Sequence, residues 1–302
     1  MWIGAGLVVS AVSELAKSWK FPTFILSFFL LGILTSLPEI TISTIAVIEG
    51  DPVIMVGNLL GGVIVLLLGA VPLLGLLGNG VQIPLQLEKK QLFLTLMVVV
   101  APAFLTADQK LERWEGLFLI VCYASLFVLF SFKQSLWEKV KTGLQRKKKN
   151  GLFLLFKIIL GILILIGASN QIVSLTLFFA EKLAISPFFV SLIVVAIGTN
   201  IPEISIIFRA LLSGKKEVAL ADYLGSASAN TLLLGVFTLL YGETIQLPNH
   251  FFQRFLFLAI GLVLFYVFAR TKSTLSRKES AVLFALYAGF MLFEILLVAR
   301  FT

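Results

Sequence analysis

Charge is scarce in this chain. Asp, Glu, Lys and Arg make up 13% of its 302 residues, about half the share in ordinary soluble domains. Cysteine and histidine occur once each, as Cys122 and His250. One Cys excludes an internal disulfide framework, and in its apolar run Cys122 reads as a small hydrophobe. One His excludes a His-rich metal cluster. No H-E-x-x-H or G-x-S-x-G stretch is present, and no nucleophile–base pair stands out, so the chain is not read as an enzyme.

What is abundant is apolar surface, at 59% of residues. That places the chain among helical membrane proteins. A hydrocarbon core takes about 20 apolar residues per helix. Spans are predicted at 1–16, 21–49, 52–78, 91–107, 114–132, 151–179, 186–213, 217–241, 251–269 and 280–300. The fold class expected is therefore an all-α polytopic membrane protein of about ten transmembrane helices. The 28 Phe are read as lipid-facing bulk, and Trp19, Trp114 and Trp137 near span ends as interfacial anchors.

The net charge of +8 is explained by topology rather than by nucleic acid. The segment "KVKTGLQRKKKN", 139–150, is the basic core of a linker over 133–150, expected on the cytoplasmic side. Alternating sides from there gives an N-out, C-out chain in the plasma (inner) membrane. All but five of the 24 Lys and Arg then fall inside, the exceptions being Lys110, Arg113, Lys182, Arg254 and Arg300. That bias is what the positive-inside rule requires.

Two stretches, "LLGILTSLPEITISTIAVIEG" at 30–50 and "VVAIGTNIPEISIIFRALLSG" at 194–214, interrupt their hydrophobic runs in the same way. A shift of 164 residues places Thr35 on Thr199, Pro38 on Pro202, Glu39 on Glu203, Gly50 on Gly214, Asn58 on Asp222 and Gly61 on Gly225. The linker separates halves 1–132 and 151–302 of five spans each, and an odd number of spans inverts the second half. The architecture expected is two inverted five-helix repeats, and interrupted segments at matching positions point to a transporter's midplane site. Residues 151–163 would map before Met1. The first span is therefore short, either through truncation or because the true start lies upstream. "MWIGAGLVVSAVSELAK" lacks the basic beginning of a signal peptide.

The chemistry of the two interruptions is that of a cation site. Proline removes a backbone donor and disturbs the carbonyl four residues earlier, which here is that of Leu34 or Gly198. Thr35, Ser36, Thr199 and Asn200 add side-chain oxygens, and Glu39 and Glu203 add charge. Hard cations such as Ca²⁺ take such oxygens, and an intramembrane carboxylate is costly unless it has a use. The bland alternative is a pair of proline kinks with incidentally paired carboxylates. Arg209, nearly two turns past Glu203, is expected to snorkel to the cytoplasm. After each interruption, "GNLLGGVIVL" (57–66) and "ADYLGSASAN" (221–230) follow. Asp222, Ser226 and Asn230 recur every four residues, which aligns them on one helix face. In the first copy that register gives Asn58, Gly62 and Leu66.

The paired "TSLPE" and "GTNIPE", each followed by a "GN..GS"-like element, resemble the two alpha repeats of the sodium/calcium exchanger membrane region, in the cation/calcium antiporter superfamily. The resemblance covers essentially the whole chain. It implies alternating-access antiport of Ca²⁺ against Na⁺, or H⁺ in related branches, with ions bound between the repeats and the first and sixth spans sliding. It implies transported cations and lipid as partners, no cofactor and no protein partner. Carried over residue by residue, the ligand set implied is Glu39, Glu203, Thr35, Ser36, Thr199, Asn200, Ser226, Asn230, Asp222 and Asn58, with the carbonyls of Leu34 and Gly198. The chain departs from the pattern at Leu34, Asn200, Ala221, Asp222, Gly62 and Leu66; Gly62 and Leu66 remove two oxygen donors from the first repeat. A degenerate, non-transporting protein of the same fold is the alternative reading.

Overall fold

The structure, a computed structural model, describes residues 2–19, 23–83, 87, 89–132, 151–164, 167, 195–247, 251–272 and 274–301. The basic linker at 133–150 and Trp137 lie outside these residues. Helix is described within each of the ten expected spans: α1 (Trp2–Trp19), α2 (Phe24–Ile48), α3 (Pro52–Leu77), α4 (Lys89–Leu105), α5 (Arg113–Phe132), α6 (Gly151–Ile164), α7 in two pieces (Ala196–Thr199 and Ile201–Leu212), α8 (Lys216–Tyr241), α9 (Phe251–Lys272) and α10 (Arg277–Phe301). Six of them, α2, α3, α4, α5, α8 and α10, are long and apolar enough to cross a membrane individually.

The helices are broken where the prolines predict. Ser36 separates the two parts of α2 with φ −79° and ψ 10°, and Asn200 separates those of α7 with φ −88° and ψ 8°. In each case the helix restarts with Pro in its first turn, where no N–H is needed. Each restarted piece then ends alike. Gly50 and Gly214 take left-handed φ values of 79° and 67°. The N–H groups of Asp51 and Lys215 reach back to the carbonyls of Ala46 and Ala210 at 2.9 and 2.8 Å. This is a glycine-terminated helix end, built twice.

The inversion itself is written in four two-residue strands. β1 (Val81–Gln82) pairs antiparallel with β4 (Thr274–Leu275), and β2 (Lys110–Leu111) with β3 (Ile245–Gln246). Val81 faces Leu275 and Ile245 faces Leu111, so the 164-residue shift converts one pair into the other with the register kept. Each sheet joins one repeat to the other. The alternation of spans puts β1 and β4 on one side of the membrane and β2 and β3 on the other, as the pairing requires.

α3 and α8 form the middle of the bundle, buried almost throughout. α8 packs against α5, α2, α3 and α4. Its approach to α2 is governed by Gly225 and Gly32: a Cβ on Gly225 would lie 2.0 Å from the Phe28 carbonyl oxygen, and one on Gly32 2.5 Å from the Gly225 carbonyl carbon. Backbone touches backbone there, as small residues allow between membrane helices. The reading of Phe as lipid-facing bulk holds only in part. Phe104 and Phe153 face outward, but Phe24, Phe28, Phe265 and Phe290 are fully buried. Phe24, Phe28, Phe29 and Phe130 form one ring cluster between α2 and α5, filling the space left beside the tight α2–α8 crossing.

At the end of α3, Lys216 donates from Nζ to the carbonyls of Gly78 and Gly80, the latter at 3.0 Å. The second repeat thus supplies donors to the end of a first-repeat helix, whose last carbonyls have no helical partners. Lys216→Met should lower stability by about 1–3 kcal/mol, read as a fall in melting temperature of the detergent-purified protein; an unchanged melting temperature would show that water serves those carbonyls equally well. At the start of α5, Trp114 Nε1 and Lys110 Nζ donate to Glu112 at 2.7 and 3.1 Å, and these bonds hold its carboxyl below the usual range. Trp114 is exposed there, where an interfacial anchor belongs.

Candidate functional site

Both helix breaks lie in the bundle interior, next to α3 and α8. Thr35, Ser36, Glu39, Thr199, Asn200 and Glu203 are at most 1% exposed, and Asn58, Asp222, Ser226 and Asn230 at most 2%. Burying this many polar side chains away from water is unfavourable unless each finds a partner. Some do, and the partners cross between repeats.

Thr35 Oγ1 lies 3.2 Å from Asp222 Oδ1 and 2.9 Å from Ser226 Oγ. Its counterpart Thr199 donates to Asn58 Oδ1 at 3.4 Å. Each threonine on a break therefore reaches the opposite repeat's long helix. Each also neighbours the opposite glutamate, Thr199 beside Glu39 and Thr35 beside Glu203. Ser226 Oγ also lies 3.5 Å from Glu203 Oε1 and 3.4 Å from the Gly32 carbonyl. Asn230 Nδ2 donates to Leu59 O at 3.3 Å. Asp222, Ser226 and Asn230 thus share the inward face that their spacing predicts.

Ser36 and Asn200 play equivalent local parts. Ser36 Oγ donates to Gly32 O at 2.7 Å, and Asn200 Nδ2 to Ala196 O at 2.7 Å. These bonds serve carbonyls that precede each break. Gly198 is buried beside Thr199, whereas Leu34 is half-buried and packs on the apolar core. Arg209 is half-buried, and its guanidinium lies against α1, where a Cβ on Gly6 would come within 3.1 Å of Nε.

Several oxygens remain without a hydrogen-bond partner among the described residues: Glu39 Oε2, Glu203 Oε2, Asp222 Oδ2, Asn200 Oδ1 and Asn230 Oδ1. Unpaired buried carboxylate oxygens are expensive, and oxygens of this kind, contributed by both repeats, are what hard cations take. No three His, Cys, Asp or Glu side chains converge on one point among the described residues. The hydroxyls and carbonyls must therefore supply much of any coordination shell.

Three contributors have parts that the sequence motifs do not indicate. Tyr223, fully buried, donates to the backbone carbonyl of Glu203 at 3.1 Å and so fixes the restarted part of α7 against α8. Gly32 contributes a carbonyl. Gly62 contributes space, since a Cβ there would lie 2.8 Å from Asn230 Nδ2 and 3.2 Å from Asn200 Nδ2. The only signal for Gly32 is its small counterpart under the shift, Ala196.

Broken, symmetry-related helices carrying buried carboxylates in an inverted-repeat bundle define a membrane transporter of the secondary type. Comparison with known proteins gives the family. The description "Sodium/calcium exchanger protein" matches residues 1–133 and 153–296, and the chain belongs to that family. It is 25% identical to the sodium/calcium exchanger MaX1 of Methanosarcina acetivorans, over 95% of this chain and 93% of the relative. It is 25% identical to the putative antiporter CaxA of Alkalimonas amylolytica, over 93% and 91%. Among solved structures it resembles the sodium-calcium exchanger NCX_Mj, with a TM-score of 0.78, 22% identity and coverage of 95% of this chain and 92% of that one.

Proposed function

We propose that the protein exchanges Ca²⁺, or another divalent cation, for Na⁺ or H⁺ by alternating access, the ion being held between Glu39 and Glu203. The observation that carries this reading is the burial of both glutamates, 1% and 0% exposed, each with a carboxylate oxygen that no described residue satisfies. A divalent cation would neutralise both at once. Thr35, Thr199, Ser226 and Asn230 are assigned as oxygen donors around them. Ser36, Asn200, Asp222 and Asn58, with the carbonyls of Leu34 and Gly198, complete the assigned set. The names of the Methanosarcina and Alkalimonas relatives support antiport, and the first supports Na⁺ as counter-ion.

Switching of access is assigned to α1 and α6. The two cross closely, since a Cβ on Gly161 would lie 2.8 Å from the Gly4 carbonyl oxygen. The side chains of Leu7 and Val8 also lie against Gly161, so α1 rests on a surface of α6 that has no side chain at that point. The orientation proposed is N-out and C-out in the plasma membrane, with the 133–150 linker cytoplasmic.

One observation favours a non-transporting protein of the same fold. Leu66, fully buried, stands where an oxygen donor is expected. The deciding experiment is ⁴⁵Ca²⁺ uptake into proteoliposomes under an imposed Na⁺ or H⁺ gradient. Gradient-driven accumulation is expected; absence of gradient-driven flux of any cation would establish the non-transporting reading instead.

A further inference from the structure

The start of α4 and the end of α9 meet at one surface of the membrane. β1 precedes α4, β4 follows α9, and the two strands pair. From there the helices pack along each other, and Phe93 meets Tyr266 with ring centroids 5.6 Å apart and planes at 64°. This ring pair is not core. Phe93 and Met97 are each 44% exposed, Val263 is 63% exposed, and Tyr266 is half-buried. Together they line an apolar groove between the two helices that opens toward lipid.

Residues four apart share a helix face, one turn or about 5.4 Å along the axis. Lys89 lies one turn before Phe93, and Arg270 one turn after Tyr266. The helices run in opposite directions, so both steps lead to the end that carries the strands. The two cations therefore stand over the ring pair, with Lys90 beside them. All three are exposed, and none forms a salt bridge among the described residues. On the opposite side of the membrane Lys110 is treated differently, with Glu112 Oε1 at 3.1 Å. Glu279, near β4, already accepts the Ser276 N–H at 2.7 Å.

The repeat shows that this end of the groove is particular. The 164-residue shift turns Arg270 into Thr106 and Tyr266 into Pro102, and of the three cations only Lys90 has a cationic counterpart, Arg254. Thr106 is buried, and its hydroxyl donates to the Pro102 carbonyl at 2.9 Å. A topology signal asks only for positive charge on one side. It does not ask for cations set over an exposed aromatic pair at the head of an apolar groove.

We propose that the α4–α9 groove holds an anionic phospholipid, its phosphate among Lys89, Lys90 and Arg270 and an acyl chain along Phe93, Met97 and Val263. Tyr266 suits the boundary, with an apolar ring for the chain and a hydroxyl for the headgroup. The cations lie on the side assigned to the cytoplasm, whose leaflet carries anionic lipid. Because α4 belongs to the first repeat and α9 to the second, the bound lipid joins the two. The site lies apart from the buried carboxylates and does not depend on the exchange reading.

The test titrates the detergent-purified full chain with phosphatidylglycerol or phosphatidylcholine and counts bound lipid by native mass spectrometry. Wild type should bind phosphatidylglycerol the more tightly. Arg270→Gln should weaken that binding about fivefold, the equivalent of about 1 kcal/mol. Lys89→Gln combined with Lys90→Gln should weaken it about 25-fold. Phosphatidylcholine binding should not change in either variant, and Arg270→Lys should keep most of the preference. Arg277→Gln combined with Lys278→Gln, two exposed cations at the start of α10, should leave both lipids unaffected. The substituted side chains are exposed, so melting temperatures in phosphatidylcholine should match wild type; if Arg270→Gln does not fold, the Lys89 and Lys90 pair carries the test. Equal affinity of wild type for the two lipids would overturn the proposal. So would equal losses from the two double variants, which would reduce the site to diffuse surface charge. Displacement of the lipid by inorganic phosphate at equal concentration would also overturn it, since the groove would then contribute nothing.

Discussion

Glu203→Gln is expected to lower divalent-cation exchange by about 100-fold or more while leaving the protein folded. Glutamine keeps the size of the side chain and its reach to Ser226 Oγ, 3.5 Å from Oε1, so packing changes little. It removes a fully buried negative charge. Taking one member from a buried charge-paired contact costs about 2–5 kcal/mol, and each 1.4 kcal/mol is tenfold in affinity. Glu39→Gln should act alike, since Glu39 is as buried and neighbours Thr199 as Glu203 neighbours Thr35. A second readout separates function from structure. Without a bound ion, carboxylates crowded at a dry site destabilise the fold, so the ion-free glutamine variant should melt no lower than wild type, as functional sites often permit. A large drop in melting temperature would assign Glu203 to structure. Exchange that survived the combined Glu39→Gln and Glu203→Gln change would remove both from the site.

The second large effect is expected from a single added methyl. Gly225→Ala places a Cβ 2.0 Å from the Phe28 carbonyl oxygen. Backbone cannot rotate away as a side chain can, so α2 and α8 must separate. Overpacking of this kind costs about 1–3 kcal/mol or more, which for a chain of this size is a fall of roughly 5 °C. The adjacent residue, Ser226, lies 2.9 Å from Thr35, so the same separation should pull these two residues of the candidate site apart and reduce exchange. Gly289→Ala is the control: its Cβ would meet nothing nearer than Phe257 at 4.0 Å, and its melting temperature should match wild type. Equal behaviour of the two variants would show that the crossing is not the constraint described.

The long spans, the inversion and both helix breaks were legible because each has a one-dimensional signature. Apolar length gave the spans. Pro38 and Pro202 located the breaks to within two residues, at Ser36 and Asn200. The four-residue spacing placed Asp222, Ser226 and Asn230 on a common face. What stayed hidden depends on contacts between distant segments. No local pattern announces that Gly62 makes room for Asn200 and Asn230, or that Tyr223 holds the Glu203 carbonyl. Nor does it announce the π-helical turn at Val65–Ala70, which carries Leu66 and has no counterpart in the uninterrupted helix of α8. The losses at Gly62 and Leu66 looked alike in the sequence. In the structure one is a cavity refilled by amides and the other a packed apolar side chain.

The strand pairs carry a last consequence. Because a shift of 164 residues turns the Val81–Leu275 contact into the Ile245–Leu111 contact, the two sheets are a single contact met twice. That is the geometry of an isologous dimer, in which residue i of one copy touches j of the other and j touches i. The chain is in effect a homodimer whose subunits have been fused head to tail. Its frame keeps the reciprocity of identical partners, while the buried polar cluster between them has been free to become two different halves.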